Sequence, residues 1–179
     1  MSSSAPISTA VDGLILRPWR AADLAPLVRY ANNRNVWINL KDRFPYPYTE
    51  ADGRAWIAHC EARAGAPTSF ALDWRGEAIG GFGLDPHDDV HRVMASVGYW
   101  LGEPFWGRGF ATHTLRALTT YAFATFDLFR LQAAVFDWNI GSMRVLEKAG
   151  YALECRMRQS IIKDGRLADT FLYARLRDR

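Results

Sequence analysis

The sequence predicts a mixed α/β fold in a single domain, and three observations support this. Its 179 residues suit one domain with a sizeable buried core. Hydrophobic residues make up 49% and charged residues 23%, which excludes the composition of disordered and fibrous chains. Apolar residues follow the two-residue period of strands in some segments and the helical period in others. The segments occur in the order strand, two helices, three strands, helix, strand, helix and two strands.

The elements begin with a strand over residues 14–19, after which Asp23 is expected to cap the first helix. Residues 32–48 have no regular pattern, and Thr49 is expected to cap the second helix. Further strands are predicted over residues 69–74, 78–84, 93–101, 131–136, 151–162 and 168–175, and further helices over residues 110–126 and 139–150. An Asp-Gly pair at 164–165 separates the last two strands, which is typical of a hairpin.

The start of the chain differs in composition from the rest. Residues 1–12 are expected to be a disordered lead-in, without the basic start and apolar segment of a signal peptide, and residues 13–179 form the domain. No apolar run approaches the ~20 residues of a membrane helix, so no membrane partner is expected. Cys60 and Cys155 form no disulfide framework or metal motif, which favours a reducing cytoplasm.

The formal net charge is +3, and the last 28 residues hold 7 basic and 4 acidic residues. This excess is too small for a nucleic-acid-binding surface and indicates only a modest attraction for an anionic ligand. His87 and His91 lie in one loop, but they have no supporting cysteine or second cluster. We therefore expect neither a nucleic-acid partner nor a bound metal.

The most informative segment is the glycine-rich run 98–112, where a strand ends and a long helix begins. Such a turn directs unpaired N–H groups to one point at the positive end of the helix dipole, which favours phosphate. The run lacks the Gly-Lys-Ser/Thr of a P-loop and the third glycine of a dinucleotide fold. A glycine turn that only reverses the chain is the alternative. A second strand-to-helix turn, at residues 139–142, could face the same ligand.

Together these segments resemble the GCN5-related N-acetyltransferases (GNAT). The motifs that carry the resemblance are Trp106-Gly107-Arg108-Gly109-Phe110-Ala111, Asn139-x-x-Ser142, Lys148-x-Gly150-Tyr151 and the opening Leu16-Arg17-Pro18-Trp19. The strand end at 98–101 and Gly165-Arg166-x-x-Asp169-x-x-x-Tyr173 are similar to the ribosomal-protein alanine N-acetyltransferase branch. The resemblance spans residues 14–176. It implies an α/β fold with a mixed, mostly antiparallel sheet, whose splayed central strands are flanked by helices.

The resemblance further implies that acetyl-CoA is the cosubstrate and lies between strands 93–101 and 131–136. Backbone groups at the end of the first of these strands would hold the acetyl and pantetheine portion. The N–H groups of the glycine turn would hold the pyrophosphate, and an asparagine would bond the pantetheine arm. The residues assigned to acetyl-CoA are Trp100, Leu101, Trp106, Gly107, Arg108, Gly109, Phe110, Ala111, Thr112 and Asn139.

The catalytic assignments are less direct because two family positions differ. The tyrosine that often acts as general acid corresponds to Leu146, so Ser142 is the candidate acid, as its counterpart is in this branch. An acidic base found in some branch members corresponds to Ile161, which leaves the base open. Glu103, near the mouth of the cleft, is the first candidate, although a solvated turn carboxylate is an equal alternative. Asp169 is expected to pair with a nearby arginine, Arg156 or Arg158.

The sequence therefore predicts transfer of acetyl from acetyl-CoA to a primary amine by direct attack. The resemblance favours a protein N-terminal amine as acceptor. A small-molecule amine, such as an aminoglycoside, polyamine or amino acid, is the alternative, and a CoA-binding sensor without turnover is a second. The irregular segment 32–48 is expected to line the acceptor side with aromatic residues. Whether the chain forms a homodimer is left open.

Overall fold

The computed structural model describes residues 5–178. Its strands are β1 (Ile7–Ser8), β2 (Leu14–Arg17), β3 (Ser69–Trp74), β4 (Glu77–Pro86), β5 (Met94–Leu101), β6 (Arg130–Phe136), β7 (Ala152–Lys163) and β8 (Arg166–Leu176). Its helices are α1 (Leu24–Ala31), α2 (Arg34–Trp37), α3 (Glu50–Glu61), α4 (Phe110–Thr125) and α5 (Ile140–Lys148). None of the helices among these residues is long and apolar enough to cross a membrane.

The strands form one mixed sheet in the order β1-β2-β3-β4-β5-β6-β8-β7. All neighbours are antiparallel except β5 and β6, as the predicted fold class requires. The larger apolar core lies between the sheet and helices α4 and α5, and a smaller one lies between the sheet and helices α1 and α3. Helices therefore cover both faces, which leaves the ends of the central strands as the place for a site.

Two local features differ from the sequence prediction. Ile7 and Ser8, within the segment expected to be disordered, pair with β2 because Ile7 packs against the larger core. Residues 1–4 of that segment lie outside the described residues. The expected capping of α1 by Asp23 is wrong, since its buried carboxylate instead accepts two hydrogen bonds from Arg17, at 2.7 and 2.8 Å.

The predicted caps and turns elsewhere follow their expected chemistry. Thr49 caps α3 and forms a capping box with Asp52, in which each side chain accepts from the other residue's backbone N–H. The β7–β8 turn places Asp164 and Gly165 at φ of 51° and 73°, the left-handed values of a tight hairpin. The β7–β8 hairpin extends beyond the end of β6, and its tip contacts the segment that contains α2.

Candidate active site

The parallel strands β5 and β6 diverge and open a cleft in the sheet. They pair over only three positions, from Met94 with Arg130 to Ser96 with Gln132. The splayed pair predicted by the family resemblance is therefore present. Beyond Ser96, no strand among residues 5–178 pairs with the facing edge of β5.

The hydrogen bonds of β5 to β4 show which backbone groups face this cleft. His87 N donates to the Met94 carbonyl at 3.0 Å, and Gly102 N donates to the Ile79 carbonyl at 2.8 Å. Antiparallel ladders alternate with a period of two, so the even-numbered residues of β5 bond β4. The backbone groups of odd-numbered residues, including those of Leu101, point towards the gap. The backbone of Trp100 belongs to the set that bonds β4.

The glycine-rich turn leads from the end of β5 into α4. Gly107 and Gly109 have φ of 75° and 77°, a conformation that glycine adopts without strain. Within residues 5–178, the backbone N–H groups from Gly107 to Thr112 donate to no backbone or side-chain acceptor. Because the dipole of α4 adds positive potential at its N-terminus, this turn is suited to bind a phosphate or pyrophosphate.

Side chains around this turn hold it in place. The indole Nε1 of Trp106 donates to the Leu101 carbonyl at 2.7 Å, which ties the turn to the end of β5. Phe110 is buried in the larger core and Thr112 is also buried, so these two residues offer their backbone rather than their side chains. The guanidinium of Arg108 lies 5.7 Å from the ring centres of both Trp74 and Phe105.

Tyr99 and Ser142 meet beside the cleft. The Tyr99 hydroxyl and Ser142 Oγ are 2.8 Å apart, and the ring of Tyr99 stacks on Phe82 with centroids 5.0 Å apart. Burial raises the pKa of the Tyr99 hydroxyl, and the hydrogen bond from Ser142 only partly offsets this effect. Tyr99 therefore stays protonated at neutral pH. The hydrogen bond between Tyr99 and Ser142 was not predicted from the sequence, although the strand that contains Tyr99 was.

Asn139 links this pair to the start of α5. Its Oδ1 accepts a hydrogen bond from Ser142 N at 3.1 Å and caps the helix. The cap uses only the side-chain oxygen, so the amide NH₂ is available to a ligand in the cleft. Asn139 can therefore combine the structural and the binding roles that its position suggests.

Glu103 lies in the turn between β5 and α4, with its carboxylate half-buried. The carboxylate accepts hydrogen bonds from Asn33 Nδ2 at 2.7 Å and Asn35 Nδ2 at 2.9 Å. It therefore connects the glycine turn to the start of α2. Both oxygens are engaged, so Glu103 is placed better as a bridge between two segments than as a freely accessible carboxylate.

The tip of the β7–β8 hairpin packs against α2 and the residues after it. Lys163 is buried, with Nζ 2.8 Å from Asp42 Oδ1 and 3.7 Å from the ring centre of Trp37. Arg34 and Asp164 form a second ion pair at 2.5 Å. These contacts join α2 and the segment after it to the hairpin tip.

A cavity of about 390 Å³ lies where the hairpin tip, α2 and the β6–α5 connection meet. It is lined by Ile38, Trp138, Lys163, Asp164 and Arg166. Trp138 Nε1 donates to Asn39 Oδ1 at 3.1 Å and fixes one wall. The sequence predicts an acceptor side in residues 32–48, and of that segment Ile38 lines this cavity together with residues of the hairpin tip. The signal that was missed is Trp138, which directly precedes the predicted Asn139.

Asp169, the other acidic candidate, is held by the hairpin itself. Its oxygens accept from Arg156 Nε at 2.5 Å and from Gln159 N at 2.8 Å. The predicted pairing with Arg156 is therefore present. The Gln159 hydrogen bond, followed by Arg156, lowers the pKa of Asp169 below its usual value. Both contacts indicate a structural role for this carboxylate.

The splayed parallel pair and the glycine turn before the following helix form the arrangement that the resemblance to acetyltransferases predicts. The profile of the acetyltransferase (GNAT) domain matches residues 13–152. The chain therefore belongs to the GNAT family.

Curated relatives carry related names. YjcK of Bacillus subtilis, named as an N-acetyltransferase, is 41% identical over 71 residues, which cover 40% of this chain and 39% of YjcK. YdaF of the same organism, named as a candidate ribosomal N-acetyltransferase, is 32% identical over 106 residues, or 59% of this chain and 57% of YdaF. The matched region spans less than two thirds of either relative.

Among solved structures, RimL in complex with coenzyme A superposes with a TM-score of 0.83 at 22% identity. The match covers 96% of this chain and 98% of that one, which is described as a ribosomal L7/L12 alpha-N-protein acetyltransferase. At this identity the similarity demonstrates a shared fold.

Proposed function

We propose that the protein transfers acetyl from acetyl-CoA to the N-terminal amine of a protein. The observation that carries the proposal is the row of unpaired N–H groups from Gly107 to Thr112 beside the open edge of β5. These N–H groups can donate hydrogen bonds to the oxygens of the acetyl-CoA pyrophosphate, and the positive end of the α4 dipole favours its negative charge. Asn139 would bond the pantetheine arm through its free amide, and the cleft edge at Leu101 would receive the acetyl group.

The reaction would be direct attack of the neutral amine on the thioester carbonyl. The Leu101 N–H faces the cleft and would stabilise the negative charge that develops on the carbonyl oxygen. Ser142, hydrogen-bonded to a protonated Tyr99, would donate a proton to the departing thiolate. A thiol of pKa near 8.5 leaves readily, so this proton transfer contributes less than the positioning does. A water molecule or Glu103 would accept the amine's proton.

The choice of a protein N-terminus rests on the names of YdaF and RimL and on the acceptor side of the site. Contacts between α2 and the hairpin tip border a cavity of about 390 Å³ that is open to solvent on one side. An extended N-terminal segment is narrow enough to enter such an opening. A lysine on a folded protein is less suited, because the surrounding protein surface would collide with the walls of the opening. The proposal therefore names a flexible N-terminal segment as the acceptor.

Calorimetric titration with acetyl-CoA, followed by an assay of CoA release with N-terminal peptides, tests this function. Gly107→Ala places a side chain at a φ of 75° and should weaken acetyl-CoA binding about tenfold by misplacing cradle N–H groups. Gly76→Ala is the matched control, because Gly76 also has a positive φ, 97°, but lies in the β3–β4 hairpin turn. It should lose similar stability and retain binding.

Two results would contradict the proposal. If acetyl-CoA does not bind, the glycine turn is a structural reversal or a site for another anion. If acetyl-CoA binds but no peptide or small amine supports CoA release, the protein is a CoA-binding module without turnover.

A further inference from the structure

One of the charged side chains that line the cavity beside α2 lacks a close ion-pair partner among the described residues. Three ionisable side chains line it, namely Lys163, Asp164 and Arg166. Lys163 is neutralised by Asp42 at 2.8 Å, and its buried amine also lies over an indole ring. Asp164 is neutralised by Arg34 at 2.5 Å. These two pairs hold the walls of the cavity together and leave little charge for a ligand.

Arg166 differs from both pairs. Within the part of the chain that the structure describes, its guanidinium donates no hydrogen bond, and its nearest carboxylate oxygen, Asp137 Oδ1, is 4.0 Å away. Its side chain is 66% exposed, so the donors are accessible from the cavity. The guanidinium carbon lies 4.9 Å from the ring centre of Trp138, which restricts its position.

Asp137 does not cancel this charge fully. Its Oδ1 is buried without a hydrogen-bond partner, and its Oδ2 is 3.4 Å from Asp169 N. A guanidinium at 4.0 Å from a carboxylate gains attraction, but it keeps its planar set of donors free. Asp137 therefore holds Arg166 near the end of β6 while the donors remain directed to the cavity or to solvent.

We infer that Arg166 selects acceptors with a carboxylate close to the reacting amine. The inference rests on the proposed function, because the cavity is lined by Trp138, which directly precedes the cleft residue Asn139. Arginine binds carboxylates through paired, geometrically specific hydrogen bonds, and the cavity offers no second uncompensated cation among the residues that line it. Successive residues of an extended chain advance about 3.5 Å each, so acidic side chains at the second and third residues are the ones to test first. The preferred acceptor is an acidic N-terminal peptide.

The test measures peptide binding to the CoA-saturated protein by calorimetry, and kcat/KM for acetylation with acetyl-CoA. Three hexapeptides begin with serine and continue with two aspartates, two asparagines or two lysines, and are otherwise identical. The wild-type protein should bind the aspartate peptide about five- to tenfold more tightly than the asparagine peptide, as expected for a charge-assisted contact at a partly exposed site. The lysine peptide should bind more weakly still.

Two variants locate the preference. Arg166→Gln should abolish the difference between the aspartate and asparagine peptides, and Arg166→Glu should reverse the order of the aspartate and lysine peptides. Arg54→Gln is the matched control, since Arg54 is 67% exposed and paired with Glu50 on α3, away from the cavity. It should keep the wild-type preference. Thermal unfolding of each variant verifies that it is folded.

The inference is overturned if no peptide binds, if the three peptides bind equally, or if Arg166→Gln retains the preference. Failure of the proposed function gives a different result: selective peptide binding that depends on Arg166, without release of CoA from acetyl-CoA. Binding therefore decides the role of Arg166, and turnover decides the reaction.

Discussion

Replacing Tyr99 by phenylalanine removes a single hydroxyl from the region where the thiolate would leave. This hydroxyl and Ser142 Oγ share a hydrogen bond of 2.8 Å, which Ser142→Ala removes from the other side, while a longer contact of 3.4 Å from the hydroxyl to the Ser142 carbonyl remains in that variant. Alanine at 142 keeps the backbone N–H that Asn139 caps, and therefore α5 should still form. The two variants and their combination isolate the pair.

A neutral hydrogen bond contributes about 1 kcal/mol to the free energy of unfolding. Each single variant should therefore lower the melting temperature by about 2–4 °C for a chain of this size. The double variant should lose about 1 kcal/mol rather than 2, because both substitutions break one bond, which gives a coupling energy of about 1 kcal/mol. For activity, we expect kcat to fall about tenfold in Ser142→Ala, at the low end for a general acid because a thiolate needs little assistance. Tyr99→Phe should lower kcat by a smaller factor.

Thermal unfolding and steady-state CoA release measure the two effects separately. If Ser142 donates the proton, the double variant should have the same kcat as Ser142→Ala. The reasoning is refuted if the melting temperature falls as expected while kcat remains unchanged in all three variants. In that case the pair would only join β5 to α5.

Three further predictions concern stability and reactivity. Gly80→Ala should destabilise the fold by roughly 1–3 kcal/mol and lower kcat, since the new Cβ would lie 2.5 Å from the Trp100 carbonyl oxygen, and thermal unfolding measures the loss. Asp169→Asn should reduce the loss of unfolding free energy that occurs as the pH falls below about 5. Because the pKa of Asp169 is lowered in the folded protein, its stabilisation is present above the unfolded pKa of 3.8. It is lost as the pH falls through the pKa of the folded protein. Burial raises the pKa of the Cys60 thiol to about 11, so iodoacetamide at pH 8 should alkylate the exposed Cys155 first, which mass spectrometry would detect.

Each of these predictions has a control and an outcome against it. Gly98→Ala should be tolerated, because a Cβ there meets nothing within 4 Å, and equal losses at both glycines would contradict the steric argument. The wild-type chain measured over the same pH range is the control for Asp169→Asn, and an unchanged limb in the variant would remove that group as its source. Cys155→Ser should abolish rapid alkylation; persistent labelling would show that Cys60 is accessible and reactive.

The parts of the molecule that depend on local signals could be predicted from the sequence. Strands, long helices and the glycine turn followed from apolar periodicity and from Gly107 and Gly109, whose conformations are set within a few residues. The prediction that Asp23 caps α1 is wrong because its carboxylate accepts two hydrogen bonds from the Arg17 guanidinium. Such a charged bidentate pair is stronger than a hydrogen bond to an N–H group at the helix end. The cavity beside α2 could not be predicted, because Lys163 is buried only through the contact of the hairpin tip with Trp37, which is distant in sequence.

The strand order has a consequence for how the cleft is assembled. Strand β6, which forms one wall, is held by β5 over three residues and along its full length by β8. Among the described residues, β8 is the last strand in the chain, and it lies between β6 and β7 in the sheet. During synthesis, each of the first five strands can pair with the strand next to it in sequence. Strand β6 obtains its main neighbour, β8, only after more than thirty further residues have been synthesised. The cleft is therefore completed only after β8 has been synthesised, and loss of β8 would leave the β6 wall without its main neighbour while leaving the glycine turn intact.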